Sequence, residues 1–302
     1  MSKKRCYCLP VLSLALMAFP LSSHAQEPTP SQPGSNSSST TTVVQTKKPP
    51  QDPYILEDGG LSIEPIYWFS TAQPSMKGGK TATNLENLDF AGNSKRPWGG
   101  VLSFPAGRSN SLRLSYFRVQ GNGNTFLTTP VTLFSENYSP GDYISASYTI
   151  QSAKISWDYL SYTWYRPSTK LRLKTLWEIQ YLTISTNIDA PFKAPTTDSS
   201  GNTDYNTAHG SRNLIDPTFG LELEEALNKH FRWEVKGSGF GIPHRAVLWD
   251  AEASIAIRFG QVELLGGEKA LHFKTSPQSE SYFANTLSGA YVGLRYYWGR
   301  QE

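Results

Sequence analysis

Charged residues in this chain recur two apart. Arg172 with Lys174, Glu222 with Glu224, Arg232 with Glu234 and Lys236, and Asp250 with Glu252 would each share one face of an extended strand, because successive side chains point to opposite sides. Glu64, Arg113, Lys154, Asp158, Glu178, Arg258 and Arg295 take the same phase in their own segments, which makes eight cations and eight anions. A balanced set on an enclosed face has two uses. Packed together it forms an ion-pair network, since enclosed ions must pair or be hydrated; around an open passage it forms rings that select ions. The long Arg and Lys side chains, with bulky Tyr291 and Tyr297 in the same interior, favour the packed arrangement.

Catalytic arrangements are sparse. The histidines beyond residue 25 are His209, His230, His244 and His272. Asp198, Asp204 and Asp250 are the acids nearest to them, without a local His–Asp pair, and His272 with Ser276 is the nearest approach to a base beside a hydroxyl. There is no GxSxG, HExxH or phosphate-cradling glycine loop, and GSGFG at 237–241 reads as a smooth strand surface. Each histidine is expected in a solvated loop, and no catalytic, cofactor-binding or metal-ligating residue is expected.

The elements that carry the charged faces follow one rule, plainest in Trp249 to Phe259 (WDAEASIAIRF). Trp249, Ala251, Ala253, Ile255, Ile257 and Phe259 fall on one side, and Asp250, Glu252, Ser254 and Arg258 on the other. A soluble sandwich turns the oily face inward; a transmembrane barrel turns it to lipid and its charges to the lumen. The same alternation predicts strands at about 60–70, 97–105, 110–121, 141–165, 169–189, 212–226, 230–240, 245–259, 261–275 and 286–299. The links at 71–96, 122–140, 190–211 and 274–285 are long, and those at 106–109, 166–168, 227–229 and Gly260 are short. Only 241–245 is short where a long link is due. Alternating long and short links are a property of outer-membrane barrels and have no reason in a sandwich. LEEALNKH, near 223–230, is the one helical competitor, and it reads as strand end plus turn.

The first 25 residues read as a secretory signal peptide: Lys3, Lys4 and Arg5, an apolar run from Leu9 to Leu21, then Ser23-His24-Ala25. Both cysteines, Cys6 and Cys8, lie inside it, so the mature chain has no disulfide framework, cysteine metal site or thiol nucleophile. Removing those three bases from the 28 in the chain leaves 25 against 25 acids. That balance removes any case for a polyanion-binding surface, nucleic acid included. Residues 26–52 are rich in Pro, Ser, Thr and Gln and predict a disordered periplasmic tail. Residues 53–302 are expected to form one domain.

Aromatic residues make up 13% of the chain, with 8 Trp and 16 Tyr. Laid on the strands, Phe231, Trp233, Phe259, Tyr296 and Trp298 gather toward the short links, joined by Trp164 if its strand changes phase. Tyr67, Phe69, Trp98, Tyr116, Tyr181, Trp249 and Phe273 gather toward the long ones. These are two girdles at headgroup depth, with Val235, Ala253, Ile255, Leu221, Ile155, Val292 and Leu294 between them. The run 141–165 exceeds the roughly 9–11 residues that cross lipid, so its upper part and its neighbour 169–189 should project beyond the membrane.

With its signal peptide, cysteine-free body, alternating strands and last strand SGAYVGLRYYWG, the chain resembles the single-domain outer-membrane β-barrels of Gram-negative bacteria over about 54–299. The residues after Trp298 depart from that family's usual end on an aromatic. The resemblance implies an all-β fold, a transmembrane antiparallel up-and-down barrel of about ten strands, with eight or twelve as alternatives. It implies an outer-membrane location, with the N-terminal tail and C-terminus periplasmic. Ten strands also resemble the omptin proteases, whose acidic residues and His–Asp pair are not repeated here. The expected function is a structural or surface-interaction role for a monomer with a plugged lumen; the alternatives are a small selective pore and, less favoured, a hydrolase. The partners implied are outer-membrane lipid and lipopolysaccharide, the barrel-insertion machinery during assembly, and an extracellular partner for the long loops. Lys77, Lys80, Lys95, Arg96 and Lys193 could meet lipopolysaccharide phosphates. Phe126, Leu127, Val131, Leu133 and Phe134 suggest a folded lid.

Overall fold

A computed structural model describes residues 60–298, apart from 73–74, 79–87, 90–91, 108–109, 167–168, 198, 202, 229, 243–245 and 277–280. The expected signal peptide and tail, His244, Asp198, and the side chains of Asp204, Lys77, Lys80, Lys95 and Arg96 lie outside the described residues.

Ten strands form the wall: β1 Leu61–Trp68, β2 Gly92–Pro105, β3 Ser111–Phe126, β4 Tyr143–Tyr165, β5 Lys170–Asp189, β6 Thr207–Ala226, β7 Phe231–Ile242, β8 Ala246–Phe259, β9 Val262–Lys274 and β10 Ser281–Trp298. Each pairs antiparallel with the next, and β10 returns to β1 through Leu61↔Trp298 and Tyr67↔Val292. The sheet therefore closes on itself as an up-and-down barrel, and closure pairs backbone groups that an open edge would leave free. Four strands run about five residues longer than the alternation predicts, β2 among them, which begins at Gly92. β3 continues to Phe126, β6 begins at Thr207 and β10 at Ser281, because loop sequences rich in Gly, Asn and Thr still extend when a neighbour offers a ladder.

Trp164 reaches the outer face through a bulge. The register of β4 on β5 shifts between Leu173 and Lys174, where Tyr162 and Leu160 are partners and Ser161 is the extra residue. Below it Tyr162 and Trp164 turn outward, both exposed.

Of the aromatics assigned to the two girdles, Tyr67, Phe69, Trp98, Tyr116, Tyr181, Trp249, Phe231, Phe259 and Trp298 are exposed on the outer face, and Trp233 and Tyr296 are half-buried. Ile155, Leu221, Val235, Ile255, Val292 and Leu294 are exposed between them. Phe273 is the correction: it points inward and is 1% exposed. Its strand reads VELLGGEKALHFK, and the pairs Leu264-Leu265, Gly266-Gly267 and Glu268-Lys269 carry no period-two signal that could fix its phase.

The wall also changes sides along its length. On β5, Trp177, Ile179 and Tyr181 face out while Lys174, Glu178 and Gln180 are buried inside. Above Tyr181 the inner positions are Leu182, Ile184 and Ile188, all at most 2% exposed, and the outer ones are Thr183, Ser185, Asn187 and Asp189. β3, β4 and β6 switch at the same level, from outward Tyr116, Ala153 and Ile215 to inward Val119, Ile150 and Ala208. The strand phase is unbroken; only the polarity of the two faces is exchanged. Lipid outside selects an apolar outer face, and water outside selects an apolar core.

Candidate functional site

The lumen holds two tiers of charge beneath an apolar core. All of the expected lumen charges face inward, brought together by the alternation of β1, β3–β8 and β10. In the lower tier Arg113 bridges Asp158 and Glu222 and reaches Glu234 at 3.5 Å. Lys174 lies 3.1 Å from Glu222 and 2.8 Å from Glu224, which also pairs with Arg172. Arg232 stands 2.8 Å from Glu263 and 3.6 Å from Glu224. Arg295 joins Glu263 at 3.1 Å to Glu64 at 2.6 Å, and the Tyr297 hydroxyl donates to Glu263 at 2.8 Å. Arg258 lies 4.3 Å from the centroid of the Tyr297 ring and donates from Nε to the Gly260 carbonyl at 2.9 Å.

Lys236 links the tiers, 3.0 Å from Glu234 below and 3.0 Å from Glu252 above. Glu252 also takes Lys269 at 2.8 Å and the Tyr291 hydroxyl at 2.8 Å. Lys154 sits between Asp250 at 2.7 Å and Glu178 at 3.2 Å. The Thr218 hydroxyl donates to Glu178 at 2.9 Å, and that of Ser238 lies 2.7 Å from Asp250. Each of these buried carboxylates has a cation or hydroxyl partner, which is what a load of enclosed ions requires.

Sequence reasoning missed two members, Glu263 and Lys269, both on β9, where the alternation is blurred. They add one charge of each sign, so the balance is kept. It also missed Glu225, buried at the lower rim, where Arg166 at 3.0 Å and the Thr169 hydroxyl at 2.6 Å tie the β4–β5 turn to β6.

Above the charges, Trp68, Val119, Ile150, Leu182, Leu271, Phe273 and Leu287 form an apolar core across the barrel. A hairpin, Val131–Leu133 paired with Glu136–Tyr138, closes over it. Leu127, Val131 and Leu133 are buried, so the expected lid is present; Phe126 is not part of it and is 66% exposed. Its two-residue turn is Phe134 and Ser135, at φ 50° and 75°. Such turns favour Asn-Gly, and a side chain there costs about 1–2 kcal/mol per residue. The Phe134 ring offsets this by packing 5.4 Å from that of Phe283 and against Gly210, where a Cβ would stand 2.2 Å from the ring. From the β5–β6 loop, Lys193 donates to the Asn137 carbonyl at 2.5 Å and lies 4.8 Å from the Tyr138 ring centroid. That lysine straps the lid.

The described histidines stand apart from carboxylates. His209 Nδ1 is 2.6 Å from Asn187 Oδ1, His230 Nδ1 is 2.9 Å from the Arg258 carbonyl, and His272 Nδ1 is 2.9 Å from Thr286 Oγ1.

No family model matches the chain, and no curated protein matches it. Among solved structures it is similar to the outer membrane protease OmpT from Escherichia coli, at 9% identity over 79% of this chain and 97% of that one, TM-score 0.48. It is also similar to Ail, the attachment invasion locus protein of Yersinia pestis, at 8% identity over 78% and 99%, TM-score 0.32. The transport unit of the autotransporter AIDA-I from Escherichia coli follows, at 13% identity over 78% and 90%, TM-score 0.36. The closed strand order, with lipid-type side chains outside and charges inside, is itself the architecture of an outer-membrane β-barrel.

Proposed function

We propose that this chain is a bacterial outer-membrane barrel with a closed lumen, periplasmic termini and a structural or surface-interaction role carried by its external part. The observation that supports it most is the filling of the interior. Ion pairs, apolar core and strapped lid follow one another along the axis, and a cavity lined by Arg113, Lys174 and Arg295 is about 30 Å³, as is one lined by Lys154, Asp250 and Lys269. Each has room for about one water molecule. A selective pore needs charge rings around a passage; here each ring is spent on itself. The described histidines meet amide, carbonyl and hydroxyl oxygens, which lends a hydrolase no support.

Planar-bilayer conductance of the refolded barrel, beside the double variant Arg232→Ala, Arg258→Ala, tests this reading. Silence from the native protein with brief flicker from the variant is expected. Steady conductance from the native barrel would contradict it and establish a pore. For topology, a cysteine at Ser200 should be labelled from outside intact cells and one at Asn228 should not.

A further inference from the structure

We infer that the outer wall of β1–β4 holds one phosphate-bearing lipid of the external leaflet, its acyl chain in a groove between the girdles and its phosphate on Arg118. This rests on the transmembrane reading. The groove has a volume of about 770 Å³ and is walled by Ile63, Leu114, Ile155 and Leu294. It reaches from Trp98 and Tyr116 in the upper girdle to Tyr296 in the lower. Its floor follows from sequence: the cross-strand row Pro65↔Gly100↔Tyr116↔Ala153 places two of the smallest side chains on either side of a tyrosine. The row beneath, Ile63↔Leu102↔Leu114↔Ile155, is built of branched aliphatics. A depression of this kind at hydrocarbon depth fits a single flexible chain better than a flat wall does, because more of the chain is surrounded.

The row above is Tyr67↔Trp98↔Arg118↔Gln151. Arg118 therefore stands on the outer face directly over the groove, beside Trp98, at the depth where headgroups lie. Its Nε is enclosed without a hydrogen-bond partner, and among the described residues Arg118 makes no ion pair. Further up the same outer face of β3 come Gln120, Asn122 and Asn124, all neutral. An arginine without an ion pair among the described residues, with a planar fork suited to paired oxygens, matches a lipid phosphate. The two features select one ligand between them: the groove takes the chain and the guanidinium takes the phosphate.

The test uses the full barrel, refolded in detergent, delipidated, and titrated with diphosphoryl lipid A or with digalactosyl diacylglycerol, which has acyl chains and no phosphate. Native mass spectrometry reads the bound fraction. One lipid A per barrel is expected, with about a tenfold loss of affinity in Arg118→Ala and a smaller loss in Arg118→Lys, which keeps the charge but not the fork. Ala153→Phe, which fills the groove, should weaken both lipids. Unchanged lipid A binding in Arg118→Ala, or in Ala153→Phe, would overturn the proposal. Gel mobility of unboiled samples separates the two readings: a wild-type band that does not shift on boiling would instead sink the barrel itself.

Discussion

Lys170 to Tyr181 and Leu182 to Asp189 belong to one unbroken strand, yet they are written in opposite codes. In the first half the odd residues Trp177, Ile179 and Tyr181 are exposed and the even ones carry charge to the inside; in the second the even residues Leu182, Ile184 and Ile188 are buried and the odd ones are polar. Backbone pairing does not notice the change, since the register with β6 runs without a shift from Lys170↔Ala226 to Asp189↔Thr207. What changes is the solvent. The comparison teaches that one β-wall can be a membrane protein at one end and a water-facing β-structure at the other, with the crossover just above Tyr181.

The largest effect should come from breaking the ionic half. Glu222→Ala leaves Arg113 and Lys174 enclosed with a partner removed, and should destabilise by about 3–5 kcal/mol, read as a shift in the urea midpoint of the unboiled gel band. In the apolar half Leu182→Ala, at a site with 0% exposure, should cost about 2–5 kcal/mol through a cavity, in the same assay. A matched pair on the outer face sharpens the contrast. Ile179→Arg should cost about 2–4 kcal/mol where lipid surrounds it, and Ser185→Arg, six positions higher on the same face, about 0–1 kcal/mol. Equal costs for the two would erase the boundary.

The smallest effect is on pH. The Tyr148 phenol, buried in the projecting core against Gly121, is pushed up to about 12 from 10.0 by burial. Because the folded form disfavours the phenolate, its contribution is fully present below pH 10.0 and is lost as pH rises through about 12. Tyr148→Phe should flatten the fall of stability over that window; an unchanged alkaline limb would assign it to other groups.

Much of the fold was legible because the lower half alternates strictly. Ten strands, the lumen charges and both girdles follow from period two alone, and Trp164 from the chance of a phase change that Ser161 supplies. The facing of β9 was not legible, since doubled residues hide its phase, and Phe273, Glu263 and Lys269 were misplaced or missed together. The projection of β4 and β5 could be read from their length. The exchange of faces could not, because an apolar set that moves from odd to even positions looks the same whether the strand bulges or its surroundings change. The lid was visible as an apolar stretch inside a polar loop, but its strap was not: Lys193 lies 56 residues from its acceptor on Asn137.

The most direct measurement is a cysteine scan of the outer face of β5. With both native cysteines in the expected signal peptide, single cysteines at positions 177, 179, 183, 185 and 187 can each carry an environment-sensitive fluorophore in the refolded, vesicle-embedded barrel. Labels at 177 and 179 should be quenched by a quencher on the lipid chains and shielded from iodide, and those at 185 and 187 should behave in the opposite way, with the crossover at 183. A single environment along all five positions would contradict the exchange of faces and, with it, the place assigned to the membrane.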